Sequence, residues 1–377
     1  MREQIGDYVE QAAFNFDLAG LLCGVRVRED SPLECAGFDA EFACGYADFE
    51  HKIPFGTGDA THFASVSKLF VTAAVLRLAA GRRMDVNDRL TAYLPDFRMA
   101  DERYRDITLR HILSHTSGIP DIEDYHWRDP ETDGGALYRY AHSDEVRSLR
   151  LLWEPGTGRF KYSNIAFDVL GAALETVTGR SFERIMADFF FRPLGMANST
   201  FLTPLRARGG PRLAKPHYKD AGNHLRVQDY FPYNRAHAPS STLSSTLSDI
   251  KKWGDAWIDA AQSALPAQRE HSAALPPQDA LSRFDAESAA LLHRELVAEA
   301  LTPCADIPNS GEKIGLGWFI RKQNGRTLYG HEGADDGFRS SFWICPELGM
   351  QITVLANLDR APVKKIGKRI FEILAGN

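Results

Sequence analysis

Two kinds of sequence alternate along this chain, and their order limits what it can fold into. β-rich apolar runs lie near both ends, and helical patterns fill the middle. Near the start, "LAGLLCGVRV" and "EFACGYADFE" flank the polar stretch "REDSPLE" and read as antiparallel strands. After residue 310, "GLGWFIRK", "TLYGHEG", "SSFWICPE" and "QITVLANL" are four further strand candidates. A helical segment of about 14 residues precedes the first strands, and "VKKIGKRIFEILAG" follows the last. Such a chain builds one sheet from both termini and carries a helical lobe between them. The expected class is α+β, an antiparallel sheet flanked by helices with an inserted all-helical domain. Residues 1–80 and 305–377 are assigned to the sheet domain and 81–304 to the helical one.

Within that middle, "SKLFVTAAVLRLAAG" reads as a helix from Ser65, with Gly81 at its stop. "RDITLRHILSHTSGIP" begins with a plausible N-cap and ends in Gly118 and Pro120. "SNIAFDVLGAALETVTG" is a helix capped by Ser163 or Asn164 and stopped at Gly179, and "FERIMADFFFRPLGM" follows in the same style. Residues 261–287 are rich in Ala, Pro, Ser and Gln and read as a long surface insert.

The 377 residues carry a formal net charge of −6, which argues against a nucleic-acid partner. The basic run Lys364, Lys365, Lys368 and Arg369 reads as the solvated face of the C-terminal helix. "MREQIGDYVEQAAF" lacks the apolar core of a secretion signal, and no stretch approaches membrane-spanning length. A soluble, cytoplasmic chain with no membrane partner is expected. Cys23, Cys35, Cys44, Cys304 and Cys345 form no CxxC and are expected to be reduced.

Chemistry enters with "THFASVSKLF", where Ser65 and Lys68 lie three residues apart. Ser-x-x-Lys also occurs at Ser248–Lys251 and Ser310–Lys313, so spacing alone does not distinguish it. Context does. A serine in the first turn of a helix has free N–H groups and partial positive charge beside it. Lys68 lies one turn along on the same face, among Phe63, Ala64, Val66, Leu69 and Phe70, where an unpaired ammonium is costly. In "FKYSNIAF", Tyr162 can take the serine proton if nearby cations lower its pKa, and Asn164 can hold the lysine and touch a substrate amide. On its own, Tyr-Ser-Asn is better read as a helix cap beside a packed tyrosine. In "LYGHEGADDGFRSSFW", His331 and Gly333 end a strand-like run, Gly333 permits close approach of a substrate, and the Ala334 N–H is a candidate oxyanion donor.

The order Ser-x-x-Lys, Tyr-x-Asn, His-x-Gly resembles the serine β-lactamase and penicillin-binding-protein superfamily, on the branch of class C β-lactamases, family VIII carboxylesterases and D-aminopeptidases. Supporting phrases run from about residue 15 to 375: "GYADFE", "LRHILSHTSGIP", "WEPGTGRFKYSN", "RPLGMANST", "SSTLSDIKKW", "GLGW" and "GHEGADDGF". The resemblance implies a β-lactamase-like fold with the site between sheet and helical domain. It implies Ser65 as nucleophile, Lys68 and Tyr162 sharing the base role, and Asn164 orienting substrate. His331 and Gly333 would sit on an edge strand, and the N–H groups of Ser65 and Ala334 would form the oxyanion hole. Where the β-lactamase pattern begins its third motif with lysine, this chain has His331, a weaker cation near pH 7. Arg339 either meets a substrate carboxylate or is an ordinary strand arginine.

The expected activity is acyl transfer from small esters, with D-amino-acid amides or peptides second. β-lactamase or D-Ala-D-Ala carboxypeptidase activity, or a non-catalytic binding role, are the alternatives. No cofactor is expected. His111 and His115 share i,i+4 spacing, but no HExxH glutamate accompanies them. The sequence does not specify an oligomeric state.

Overall fold

A computed structural model of the chain describes residues 1–202, 210–264 and 293–376. Its strands are β1 (Gly20–Val27), β2 (Asp39–Asp48), β3 (Ile53–Pro54), β4 (Thr61–His62), β5 (His217–Lys219), β6 (Leu225–Val227), β7 (Ser244–Ser245), β8 (Ala305–Asp306), β9 (Lys313–Ile314), β10 (Phe319–Gln323), β11 (Arg326–Asp335), β12 (Phe338–Cys345) and β13 (Met350–Ala356). Its helices are α1 (Arg2–Asn15), α2 (Ser67–Ala80), α3 (Leu109–Leu113), α4 (Ala136–Ala141), α5 (Asp144–Ser148), α6 (Asn164–Thr178), α7 (Phe182–Met186), α8 (Ala238–Ser241), α9 (Leu247–Ala264), α10 (Arg294–Ala300) and α11 (Val363–Ala375).

One antiparallel sheet runs in the order β3-β2-β1-β13-β12-β11-β10-β9-β8. Its strands come from residues 20–54 and 305–356, so the two ends of the chain meet where β1 pairs with β13. β1 and β13 read as nearly continuous apolar runs because both faces of the sheet centre are covered. On one face, Leu21, Cys23 and Val25 pack with α1 and α11. On the other, Leu22, Phe342, Ile344 and Leu355 join the core that contains α2, α6 and α9. The fold class expected from the sequence is the one observed.

The helix that matters most is α2. Its apolar residues are not confined to one stripe, so it is surrounded rather than laid on a surface. Phe70 stacks on Trp253 with centroids 3.9 Å apart and meets Phe190, Phe191 and Phe201 edge-on. This aromatic cluster fixes the helix that carries Lys68. Helix α6 begins where Ser163 Oγ accepts from Ala166 N at 3.2 Å and ends at Gly179 with φ of 66°. A Cβ on Gly171 would lie 2.1 Å from Pro239 Cγ, so glycine is what lets α8 press directly against α6. That contact brings the Ser240 carbonyl toward Lys68.

Several expectations need correction. α2 starts at Ser67, after a tight turn at Ala64–Val66 that holds Ser65. Gly81 keeps φ at −81°, and Arg82 takes the left-handed conformation beyond it. α7 stops at Met186, and 187–191 widens into a π turn. Residues 261–264 are the last turn of α9, while 265–287 of the expected insert lie outside the described residues. β11 is not an edge strand, since β10 and β12 flank it. β10 pairs only as far as Gly330, however, so residues 331–335 keep one side free of any strand partner.

Candidate active site

Ser65 sits in a backbone turn that its neighbours hold under strain. Ala64 has φ of 47°, a left-handed conformation that costs a non-glycine residue about 1–2 kcal/mol. Four bonds fix the turn. Phe63 N donates to Leu243 O at 2.8 Å and Ser340 Oγ to Phe63 O at 2.7 Å. Ser67 Oγ donates to Ala64 O at 2.7 Å and accepts from Leu243 N at 3.0 Å. The short β4–β7 ladder, with His62 opposite Ser244, anchors the approach.

Lys68 Nζ lies 2.9 Å from Ser65 Oγ, 2.5 Å from Asn164 Oδ1 and 2.7 Å from Ser240 O. The side chain is fully buried. Burial lowers its pKa to about 8, against the opposing pull of Asp168, Asp121 and Asp335. Tyr162 hydrogen-bonds Ser65 through its hydroxyl, and its ring centroid is 4.9 Å from Lys68 Nζ. Beneath the ring, His115 stacks at 4.4 Å. The tyrosine does not behave as its sequence context suggests. Burial holds its pKa well above 10, the carboxylates of Asp121, Asp335 and Asp168 add to this, and the bond from Ser65 only partly opposes it. Tyr162 is therefore a phenol at rest, not a tyrosinate.

Gly333 lets β11 lie against the Ser65 turn: a Cβ there would be 2.1 Å from Ser340 Oγ and 2.3 Å from Phe63 O. What approaches this glycine is the protein's own turn. The two-residue connection Asp336–Gly337 makes Asp335 and Phe338 the closing hydrogen-bonded pair of the β11–β12 hairpin. Ala334, opposite Arg339, is then in a non-hydrogen-bonded pair, and its N–H points away from β12 to the open side that β10 leaves.

A family model described as Beta-lactamase matches residues 25–376. This chain belongs to the β-lactamase family. That agrees with the motif resemblance and with an antiparallel sheet flanked by helices. Protein flp of Staphylococcus aureus (strain MW2) is 26% identical over 334 residues, spanning 85% of this chain and 57% of the relative. The chain thus covers little more than half the length of that relative. Penicillin-binding protein 4 of Amycolatopsis lactamdurans is 26% identical over 84% of this chain and 77% of its own length. Among solved structures, the octameric penicillin-binding protein homologue from Pyrococcus abyssi superposes with a TM-score of 0.78 at 20% identity, covering 100% of this chain and 77% of that one. A D-amino acid amidase from Ochrobactrum anthropi SV3 gives 0.75 at 20% identity, covering 98% and 97%. At such identity the superpositions speak for the fold.

In this β-lactamase-family site, His331 faces the tyrosine, with ring centroids 6.0 Å apart. Its Nδ1 donates to Glu332 O at 2.5 Å. Burial, then the Lys68 charge, lowers its pKa to about 3, so it is neutral. Arg339 is not brought to the site. Its partner in the register is Ala334, so its side chain lies on the face opposite His331 and Gly333. There it donates to Asp335 O at 2.8 Å and Phe338 O at 2.7 Å. His111 and His115 also part company. His111 accepts from Thr108 N at the start of α3, while His115 supports Tyr162. No helix among the described residues is long and apolar enough to cross a membrane.

Sequence reasoning missed several residues around this group. Asp121 accepts from Asn164 Nδ2 at 2.9 Å and from Asn164 N at 3.0 Å. His62 Nε2 is 2.6 Å from Asp335 Oδ2, which ties the strand before Ser65 to the residue after Ala334. Asp168 bonds His237 at 2.8 Å and accepts from Ser240 N at 3.1 Å, deep in the core. One signal was available for the last. Asp168 lies four residues after Asn164, on the same face, and is the one charged residue in the apolar run 165–174.

Proposed function

We propose that this chain is a serine hydrolase working through an acyl-enzyme, with small esters as its first substrates and D-amino-acid amides or peptides second. The observation that carries this reading is the coordination of Lys68. A neutral amine has two N–H donors and one lone pair. Asn164 Oδ1 and Ser240 O take the two donors, which leaves the lone pair for the Ser65 hydroxyl 2.9 Å away. Because burial brings the lysine pKa to about 8, a substantial neutral fraction exists near neutral pH.

Lys68 then accepts the Ser65 proton as Oγ attacks the carbonyl. The N–H groups of Ser65 and Ala334 receive the oxyanion. Tyr162, held as a phenol, gives its proton to the departing alkoxide or amine and regains one from Lys68. Water enters the emptied leaving-group position and attacks the ester carbonyl as the same pair takes its proton; the pair then returns that proton to Ser65 Oγ as the acyl–oxygen bond breaks and the acid leaves. His115 and Asp121 position Tyr162 and Asn164 without touching substrate.

Two solved relatives, a D-amino acid amidase and a D-stereospecific amidohydrolase, support amides as the second class. Labelling Ser65 with a fluorophosphonate probe, followed by a panel of p-nitrophenyl esters, D-Ala amides and nitrocefin, tests the reading. A labelled site other than Ser65, or no turnover of any ester or amide, would remove it in favour of a binding role.

The neutral His331 supports esters over β-lactams. No permanent charge stands where a β-lactam carboxylate would need one, so nitrocefin turnover is expected to be slow or absent. His331→Lys is expected to shift the nitrocefin-to-ester ratio of kcat/KM toward nitrocefin by about 1–2 kcal/mol, the size of a charge-assisted hydrogen bond. An unchanged ratio, or a wild-type enzyme that already prefers nitrocefin, would mean that pocket shape rather than charge decides.

A further inference from the structure

Asn164 is expected to do two things: hold Lys68 and offer its amide to a substrate. Its hydrogen bonds leave room for only the first. Lys68 and Asp121 fix which way the amide points, because a protonated lysine only donates and a carboxylate only accepts. Oδ1 must face Lys68 at 2.5 Å, and Nδ2 must face Asp121 at 2.9 Å. The second Nδ2 proton goes to the Tyr125 hydroxyl at 2.6 Å, and that hydroxyl donates in turn to Asp121 Oδ2 at 3.1 Å. Both amide protons are therefore spent in a closed ring of Asn164, Asp121 and Tyr125.

Tyr125 is well held in this position. Its carbonyl accepts from Asn234 Nδ2 at 3.1 Å, and its ring stacks on Trp127 at 5.4 Å and meets His237 edge-on at 5.1 Å. Tyr125 and Asn164 are both partly exposed, so the pair lies near the surface rather than deep in the core.

We infer that Tyr125 is a specificity-determining residue: by occupying the outward Asn164 N–H, it removes the donor that would hold an acylamino carbonyl beside the scissile bond. Substrates without that carbonyl lose nothing, and substrates with it gain nothing. This rests on the hydrolase reading above and narrows its substrate class to acyl groups with no neighbouring amide.

The test compares two esters of similar length, p-nitrophenyl pentanoate and p-nitrophenyl N-acetylglycinate. Each kcat/KM is divided by the ester's own rate with hydroxide, which removes intrinsic reactivity. In the wild-type protein the normalised ratio, acetylglycinate over pentanoate, is expected to stay below about five. Tyr125→Ala frees the N–H and opens its path, and the ratio is expected to rise roughly tenfold, the size of one net hydrogen bond. A wild-type ratio well above five overturns the proposal even if Tyr125→Ala fails to fold, because Asn164 would then already serve the substrate. A folded Tyr125→Ala protein with an unchanged ratio overturns it too. Ser65→Ala, assayed alongside, separates the two readings: if it still turns over both esters, the hydrolase assignment of Ser65 falls, whatever Tyr125 does.

Discussion

Ser65→Ala is expected to abolish ester turnover, with kcat falling by a factor on the order of 10⁴–10⁶, while the fold survives. The hydroxyl is the only group among the described site residues positioned for covalent attack beside a fitted base, at 2.9 Å from Lys68 Nζ. Removing it deletes the bond-forming atom but leaves the oxyanion donors and the cleft. The structural cost is small for two reasons. The strained turn at Ala64 is held by Phe63, Ser67, Leu243 and Ser340, and none of those four bonds uses Ser65 Oγ. Lys68 keeps two of its three partners, Asn164 and Ser240. Two lost hydrogen bonds, to Lys68 and Tyr162, at about 1 kcal/mol each shift the melting temperature by roughly 4–8 °C. Steady-state hydrolysis, fluorophosphonate labelling and a circular-dichroism melt measure all three effects. Residual turnover near the wild-type rate would move the nucleophile elsewhere. A collapse in melting temperature would mean that the hydroxyl holds the turn after all.

The sequence revealed those parts of the fold that repeat over many residues. Short apolar, β-rich runs placed β1, β2 and β10–β13, and a cap–stop pair placed α6 between Ser163 and Gly179. The two-residue strands β4 and β7 are too short for any periodicity, yet they set the approach to Ser65. Ser65, Lys68, Tyr162 and Asn164 were legible because motif order and spacing name them. Asp121 was not, because it reaches Asn164 across a loop and no spacing relates the two. Arg339 was left open between two readings that parity could have separated. A two-residue turn at Asp336–Gly337 sets Arg339 opposite Ala334, one residue off the face of His331 and Gly333. That count was available in "EGADDGFR". The state of Tyr162 was not available, because it depends on burial depth and on three carboxylates brought in from distant segments.

Those carboxylates lead to the other large expected effect, which separates the roles of Lys68 and Tyr162. If Lys68 is the base, kcat/KM for an alkyl ester falls tenfold per pH unit below about 8, because protonation of the lysine removes its lone pair. Lys68→Met should lose on the order of 10²–10⁴ in kcat and lose that pH limb with it. Tyr162→Phe should cost a similar 10²–10⁴ on alkyl esters, yet keep a limb near 8, because the titrating group is still present. The loss from Tyr162→Phe should shrink on p-nitrophenyl esters, whose phenolate leaves without needing a proton from the phenol. A tyrosinate base predicts the reverse. Tyr162→Phe would then erase the limb, and activated and alkyl esters would suffer alike, because the missing step would be deprotonation of Ser65 in both. The sign of stability follows the same lysine. Its folded pKa lies below its ordinary value, so burying the charge weakens the fold below pH 8. Between about pH 8 and the usual lysine range, the unfolded chain binds the extra proton, and stability rises with pH. Denaturant melts of wild type and Lys68→Met across pH 7 to 10 read this directly. A wild-type slope no different from that of Lys68→Met would mean that Lys68 keeps an ordinary pKa, and the base would have to be Tyr162.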